Sequence, residues 1–212
     1  MSGSFLDAPL SGFLSALASG SATPGGGSVA ALTGAQAAGL VAMVCNLTIG
    51  KKAYAAFEGE ARELLAQAEA RRAELAAFIQ ADTDAFDELM AAYKLPKASD
   101  DEIAARKAAI QAATMRATEV PLAMAAAARA VLPLCGPLAQ HGSRTAVSDV
   151  GAAALAVRAA VPTALLNVEI NLASIDDAAF AERARAQAAA LVDGLDEQVA
   201  EVLATVRARI AG

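Results

Sequence analysis

Asp82 stands in the stretch "FIQADTDAFDELM", Phe78 to Met90, where a carboxylate interrupts an apolar stripe. Phe78, Ile79, Phe86 and Leu89 recur at helical spacing, and at about 100° per residue Asp82 falls on their face. Asp84, only two residues on, points to the opposite side with Gln80 and Glu88. Burial disfavours the charged form of a carboxylate and raises its pKa, which makes Asp82 a candidate proton carrier near neutral pH. A core Asp paired with an Arg or with a helix terminus gives the same pattern, and the stripe is already interrupted at Arg71 and Arg72.

Other stretches offer binding chemistry. In "TPGGGS", Thr23 and Pro24 precede Gly25, Gly26 and Gly27, with Ser28 at the expected start of a helix. Consecutive glycines let a backbone approach a ligand closely, and the free N–H groups of a helix start attract anions, although a plain flexible connection reads the same way. The later stretch "CNLTIGKK" is not a Walker loop, because Cys45 stands where that pattern has Gly and Lys52 where it has Ser or Thr. Lys51 and Lys52 follow a helix end, where they either complement its dipole or hold the carboxylates of an anionic ligand. Asn167 and Asn171 share a helix face at i, i+4, to bridge helices or to read a polar heterocycle. Ser148 and Asp149 have the character of helix caps, and His141 of a loop residue.

The elements that must position these groups are helices. Hydrophobic residues, mostly Ala, make up 56% of the 212 residues, aromatics only 4%, and Ala favours helix over strand. Gly and Pro divide the chain into about six helical segments of an up-and-down-like all-α bundle. A short one follows Pro9 and ends near Gly20. The second runs from about Ser28 to Leu47, and the third from about Tyr54 to Tyr93, closed by Pro96. "SDDE", Ser99 to Glu102, is a capping box that opens the fourth, which Pro121 should kink and which breaks up around Pro133, Gly136 and Pro137. The fifth opens near Ser148 and Asp149, carries Pro162 and ends around Leu172; the sixth starts at Ser174 to Asp177 and reaches almost to Gly212. Neither a repeat nor a linker is visible, so one domain over residues 1–212 is expected.

Charge and cysteine usage narrow the partners. A net charge of −6 gives no broad attraction to a phosphate backbone, so no nucleic acid is expected. Cys45 and Cys135 have no CxxC spacing and there is one His, which suggests neither a disulfide framework nor a metal site and suits the cytoplasm. No charge occurs between Asp7 and Lys51, and Ser28 to Gly50 is about long enough to span a bilayer. That segment is rich in Ala, Gly, Ser and Thr with Gln36 and Asn46 inside it, as in a helix buried on all sides of a bundle, so no membrane span is expected. Without a basic region at the N-terminus, a secretory leader is not expected either.

Taken in order, "TPGGGSVAAL", "MVCNLTIGKK", "DTDAFDELMAAYKLPK", "VPLAMA", "SDVGAAAL" and "NVEINL" make the chain resemble the cyclodeaminase part of formiminotransferase-cyclodeaminase and its stand-alone cyclohydrolase relatives. The likeness is collinear over nearly the whole chain. It implies an all-helical fold, usually a homodimer, acting on a one-carbon unit between N5 and N10 of tetrahydrofolate, with no permanently bound cofactor and no metal. The family's catalytic carboxylate is the first acid of its "DTDAF"-type motif, here Asp82, so resemblance and helical projection select the same residue. One difference stands out: the family commonly has Gly-Asn ahead of its Ser-Asp motif, and this chain has Gly142 and Ser143.

What the resemblance implies for chemistry is a folate enzyme. Either water opens the 5,10-methenyl bridge to a formyl-tetrahydrofolate, or N10 attacks a formimino carbon and ammonia leaves. Gly25, Gly26, Gly27, Ser28 and Lys51 would hold the glutamyl tail or shape the pterin pocket, with Asp149, Asn167 and Asn171 as hydrogen-bond partners. With no formiminotransferase domain to feed it, the chain is expected to be a methenyltetrahydrofolate cyclohydrolase first and a cyclodeaminase second. A non-catalytic helical interaction module is the reading of a different class.

Overall fold

The computed structural model describes residues 5, 6 and 8–212. Among the described residues the six expected segments are present as eight α-helices, because two of them divide. The first three are α1 (Leu10–Leu17), α2 (Gly26–Thr48) and, after a 3-10 turn at Lys52–Phe57, α3 (Glu58–Tyr93). The fourth segment becomes α4 (Asp100–Arg129) and α5 (Leu132–His141), and the fifth is α6 (Val147–Leu172). The sixth becomes α7 (Ala178–Val192) and α8 (Leu195–Ala211). Among the described residues there is no β-strand.

Local chemistry sets most boundaries. Ser99 accepts from the N–H of Glu102 while the Glu102 carboxylate takes the Ser99 N–H, so the expected capping box opens α4. Pro121 and Pro162 stand inside α4 and α6 without dividing either helix. Pro133 lies in the first turn of α5, where a missing N–H removes no helical hydrogen bond. The division of the sixth segment was not anticipated: Gly194 adopts φ +62°, a left-handed conformation that glycine takes without strain, and the chain turns there.

α2 is the central element, and its position explains the long uncharged stretch. It packs against α3 on one side and α6 on another, burying Ala30, Ala31, Ala37, Ala38, Val41 and Val44. Small residues set the spacing: a Cβ on Gly34 would lie 3.0 Å from Leu75 of α3 and 3.3 Å from Ala128 of α4. α3 and α6 both run antiparallel to α2. At one end of the bundle the Ser143 N–H donates to Thr48 Oγ1 at 2.9 Å and the Gly50 N–H to Glu58 Oε2 at 3.2 Å. At the other end, therefore, the first turn of α2 meets the C-terminal half of α3, at Ile79 and Asp82, and the last turns of α6.

Three stretches are long and apolar enough to cross a membrane by length and composition: Gly26–Thr48, Asp100–His141 and Arg144–Leu172. In the bundle, half or more of the apolar window in each is buried against other helices. Cys45 and Cys135 are free and fully buried, and burial pushes their thiols up to about 11 and about 12. Arg71 and Arg72, which interrupt the apolar stripe of α3, form ion pairs with Glu74 and Glu69 at its surface.

Candidate active site

The Gly-rich turn leads straight into α2, whose N-cap is the extended Gly25, with no side-chain cap of its own. The first N–H groups of such a helix lack intrahelical partners and carry the positive end of its dipole. Asp82, about three turns before the end of α3, supplies what the turn lacks. Its Oδ2 accepts from Ser28 Oγ at 2.9 Å, and the carboxylate also takes the Ser28 backbone N–H. Both alternatives read from the sequence are thus partly realised: Asp82 is paired with a helix terminus and it faces a cavity, and no Arg forms an ion pair with it among the described residues.

The electrostatics of Asp82 is a contest between desolvation and these donors. Burial is the larger effect and holds the carboxyl above its ordinary range, against the opposing pull of the Ser28 hydroxyl and then the Ser28 N–H. Asp84 behaves as its projection indicates, exposed and accepting from Gln80 Nε2 at 2.8 Å.

Close approach explains one glycine of the triplet. A Cβ on Gly27 would overlap Asp82 Oδ1 and lie 2.7 Å from Oδ2, so a side chain there and the carboxylate exclude each other. Gly25 and Gly26 are less constrained, with nearest neighbours at 3.5 Å and 3.9 Å from a Cβ. The group that Gly27 admits is a side chain of this protein, which differs from the expectation that the triplet opens the backbone to a ligand.

Asp82 lines a cavity of about 320 Å³, within the range of small-molecule sites. One wall is Thr23 and the three glycines, another is Asp82 with Phe86 and Leu89, and a third is Ala117 and Val120 of α4. α6 closes it with Asn167, Ile170 and Asn171. The Asn171 amide donates to the Ala117 carbonyl at 2.7 Å. That acceptor is open because Pro121, four residues on, has no N–H to give it. The helical proline and the amide therefore form one device that ties α4 to α6 at the cavity wall. Asn167 donates to the Thr163 carbonyl of its own helix at 3.2 Å. Among the described residues neither amide oxygen accepts a hydrogen bond, which leaves two acceptors for a polar ligand.

Of the residues singled out from the sequence, the fold brings together Gly25, Gly26, Gly27, Ser28, Asp82, Asn167 and Asn171. It does not bring Lys51 or Asp149 to them. Lys51 lies beyond the far end of α2, about 30 Å from Gly27 by helical rise, and Asp149 in the first turn of α6, about 27 Å from Asn167. Ser143, the departure from the family pattern, is at that far end too, its Oγ 3.0 Å from Thr145 Oγ1. Thr23 joins the cavity with the turn it belongs to, while Ala22, Ala117 and Val120 carry no periodic signal toward Asp82 in the sequence. Phe86 was signalled by its i+4 spacing. No group of three or more His, Cys, Asp or Glu side chains able to hold a metal occurs among the described residues.

The fold and site define an antiparallel all-helical bundle whose cavity, mostly apolar, holds one half-buried carboxylate and two side-chain amides. The chain belongs to the formiminotransferase-cyclodeaminase family, whose model matches residues 9–190. It is 48% identical over 170 residues to a methenyltetrahydrofolate cyclohydrolase of Methylorubrum extorquens, covering 80% of this chain and 82% of that one. It is 36% identical over 206 residues to the formimidoyltransferase-cyclodeaminase of Rattus norvegicus, covering 97% of this chain but only 38% of that longer protein. Among solved structures, the formiminotetrahydrofolate cyclodeaminase of Thermotoga maritima is similar with a TM-score of 0.85 and 27% identity, over 96% of this chain and 98% of that one.

Proposed function

We propose that the protein is a methenyltetrahydrofolate cyclohydrolase and that Asp82 is its proton carrier. The observation that carries this reading is the half-buried Asp82 carboxyl, raised in pKa and lining the cavity, in a chain 48% identical to a relative of that name. Water adds to the electrophilic bridging carbon as Asp82 takes one of its protons, giving a neutral hydroxylated adduct. The adduct collapses to a formyl group, the carbon–nitrogen bond breaks, and Asp82 returns its proton to the departing nitrogen while the hydroxyl proton leaves to solvent. A carboxyl with a pKa nearer to neutrality serves both halves, since it must be base and then acid. The amide oxygens of Asn167 and Asn171 suit N–H donors on a pterin ring, and the Gly25–Gly27 turn shapes the edge of its pocket.

A second reading, formimidoyltetrahydrofolate cyclodeaminase, is favoured by the 36% identity to a relative of that kind over almost all of this chain. It uses the same carboxyl to protonate departing ammonia. Purified protein supplied separately with 5,10-methenyl-tetrahydrofolate and with formimino-tetrahydrofolate, each followed by absorbance, tests both. The first should be consumed faster than in buffer; consumption of the second alone selects the cyclodeaminase, and consumption of neither rejects the enzymatic reading in favour of an interaction module.

The assembly we propose is a cytoplasmic homodimer with no nucleic-acid or membrane partner, and the chemistry asks for no permanently bound cofactor or metal. Leu155, Leu166 and Ile170 form one exposed apolar stripe on α6, at 45%, 63% and 71% exposure, and such a stripe marks a contact surface. Lys51 and Asp149 would join a cavity at the Asp82 end only from a second copy, where Lys51 could meet a glutamyl carboxylate. Sedimentation velocity at micromolar concentration should give a dimer that Ile170→Glu dissociates; a monomeric wild type overturns it.

A further inference from the structure

Ser28 is fully buried, and its hydroxyl has two partners in reach: Asp82 Oδ2 at 2.9 Å and the Ile79 carbonyl oxygen at 3.3 Å. A hydroxyl carries one proton and two acceptor sites, so it donates to only one of them at a time. When Asp82 is ionised, the proton belongs on Oδ2, the stronger acceptor. When Asp82 is protonated, that arrangement reverses: the carboxylic acid donates to Ser28 Oγ, and the serine hydroxyl rotates to the Ile79 carbonyl. Ile79 is one turn before Asp82 on the same helix, so neither end of this exchange requires the backbone to move.

We infer that Ser28 is a positioning residue that works as a hydroxyl switch, keeping Asp82 hydrogen-bonded and in place in both its charged and its neutral form. A carboxyl that is base in one half of a reaction and acid in the other is best held by such a partner, because a fixed donor such as a backbone N–H cannot accept the O–H of the neutral acid. The inference rests on Asp82 as the proton carrier, but the switch itself is a property of the resting protein. No other ionisable group lines the cavity among the described residues. The first turn of α2 is Gly and Ser, and the charged groups near the site on its neighbours are all exposed: Asp84 and Glu88 of α3, Arg116 and Glu119 of α4, and Glu169 of α6. The exchange is therefore between Asp82, Ser28 and Ile79 alone.

The test reads the switch without turnover. In protein carrying 13C at the Asp side-chain carboxyls and the Ile backbone carbonyls, with the two signals assigned by their loss in Asp82→Asn and Ile79→Val, NMR is recorded across pH. The Ile79 carbonyl signal should move with the same midpoint as the Asp82 carboxyl, and that movement should vanish in Ser28→Ala. Ser28→Ala should also shift the Asp82 midpoint to higher pH, because the anion loses one donor, and Ser28→Thr, which keeps a hydroxyl, should bring it back. An Ile79 carbonyl that stays fixed while Asp82 titrates in the wild type overturns the switch even if neither Ser28 variant folds. A serine that is only structural predicts that fixed signal. If the carbonyl does move and neither folate is consumed, the switch stands and the enzymatic reading fails.

Discussion

Asp82→Asn is expected to lower turnover of 5,10-methenyl-tetrahydrofolate by about 10²–10⁴-fold, the range a positioned acid–base group supplies. The protein should stay folded. Asn has the same shape and its amide oxygen still accepts from the Ser28 hydroxyl, so the tie between α2 and α3 survives. Stability carries a signature of its own. Burial raises the Asp82 pKa in the folded state, so its contribution to stability is fully present below the ordinary carboxylate range and is lost as pH rises through the raised value. The neutral Asn escapes that loss. Melting temperatures of the two proteins should therefore lie close together in acid, with the variant equal or higher at neutral pH and above. A variant that turns over substrate at the wild-type rate, or that melts lower at neutral pH, contradicts the assignment.

Gly27→Ala should cost about 10²-fold in turnover although it removes no polar group, because a displacement of about 1 Å at a reacting group is enough for that. A single methyl at this position and the carboxylate of Asp82 compete for one space. The side chain must swing away, which breaks its hydrogen bond to Ser28 and strips the first turn of α2 of its cap. Overpacking of this kind destabilises by about 1–3 kcal/mol, offset in part by the better helix propensity of Ala, roughly 1 kcal/mol. A double-mutant cycle isolates the cause: Gly27→Ala combined with Asp82→Ala should melt higher than Gly27→Ala alone, since removing the carboxylate relieves the overlap. Gly26→Ala, which meets nothing closer than 3.9 Å, should lose far less activity. Equal losses at both glycines would show that the turn acts through flexibility and not through space.

Much of the fold was legible because helices announce themselves locally. The Ser99–Glu102 box, the Ala content and the Gly and Pro punctuation are properties of a few neighbouring residues, and the structure keeps them where they were read. The division at Gly194 is not legible in the sequence because a glycine within a helical pattern can be tolerated or can end the helix, and only the φ of +62° decides. Pro121 reads in the sequence as a kink, yet what matters about it is the Ala117 carbonyl it leaves open and the Asn171 amide, fifty residues away in the chain, that fills the gap. Asp82 was legible as an anomaly in a stripe. Its partner was not, since nothing in a periodicity says which helix end will lie opposite.

The amino-acid sequence alone determined that the chain is helical, that Asp82 faces inward while Asp84 faces water, and that the glycine turn precedes a helix, because each depends on contacts within one or two turns. Only the tertiary structure decided that the turn and the carboxylate meet, that Gly27 is the glycine requiring its missing side chain, and that Asn167 and Asn171 join them while Lys51 and Asp149 lie at the other end. The reason is direction. Helical spacing fixes the angle at which a side chain leaves its axis, but the antiparallel packing of α2 against α3 and α6 fixes which end of one helix lies beside which end of another, and a site is made of ends.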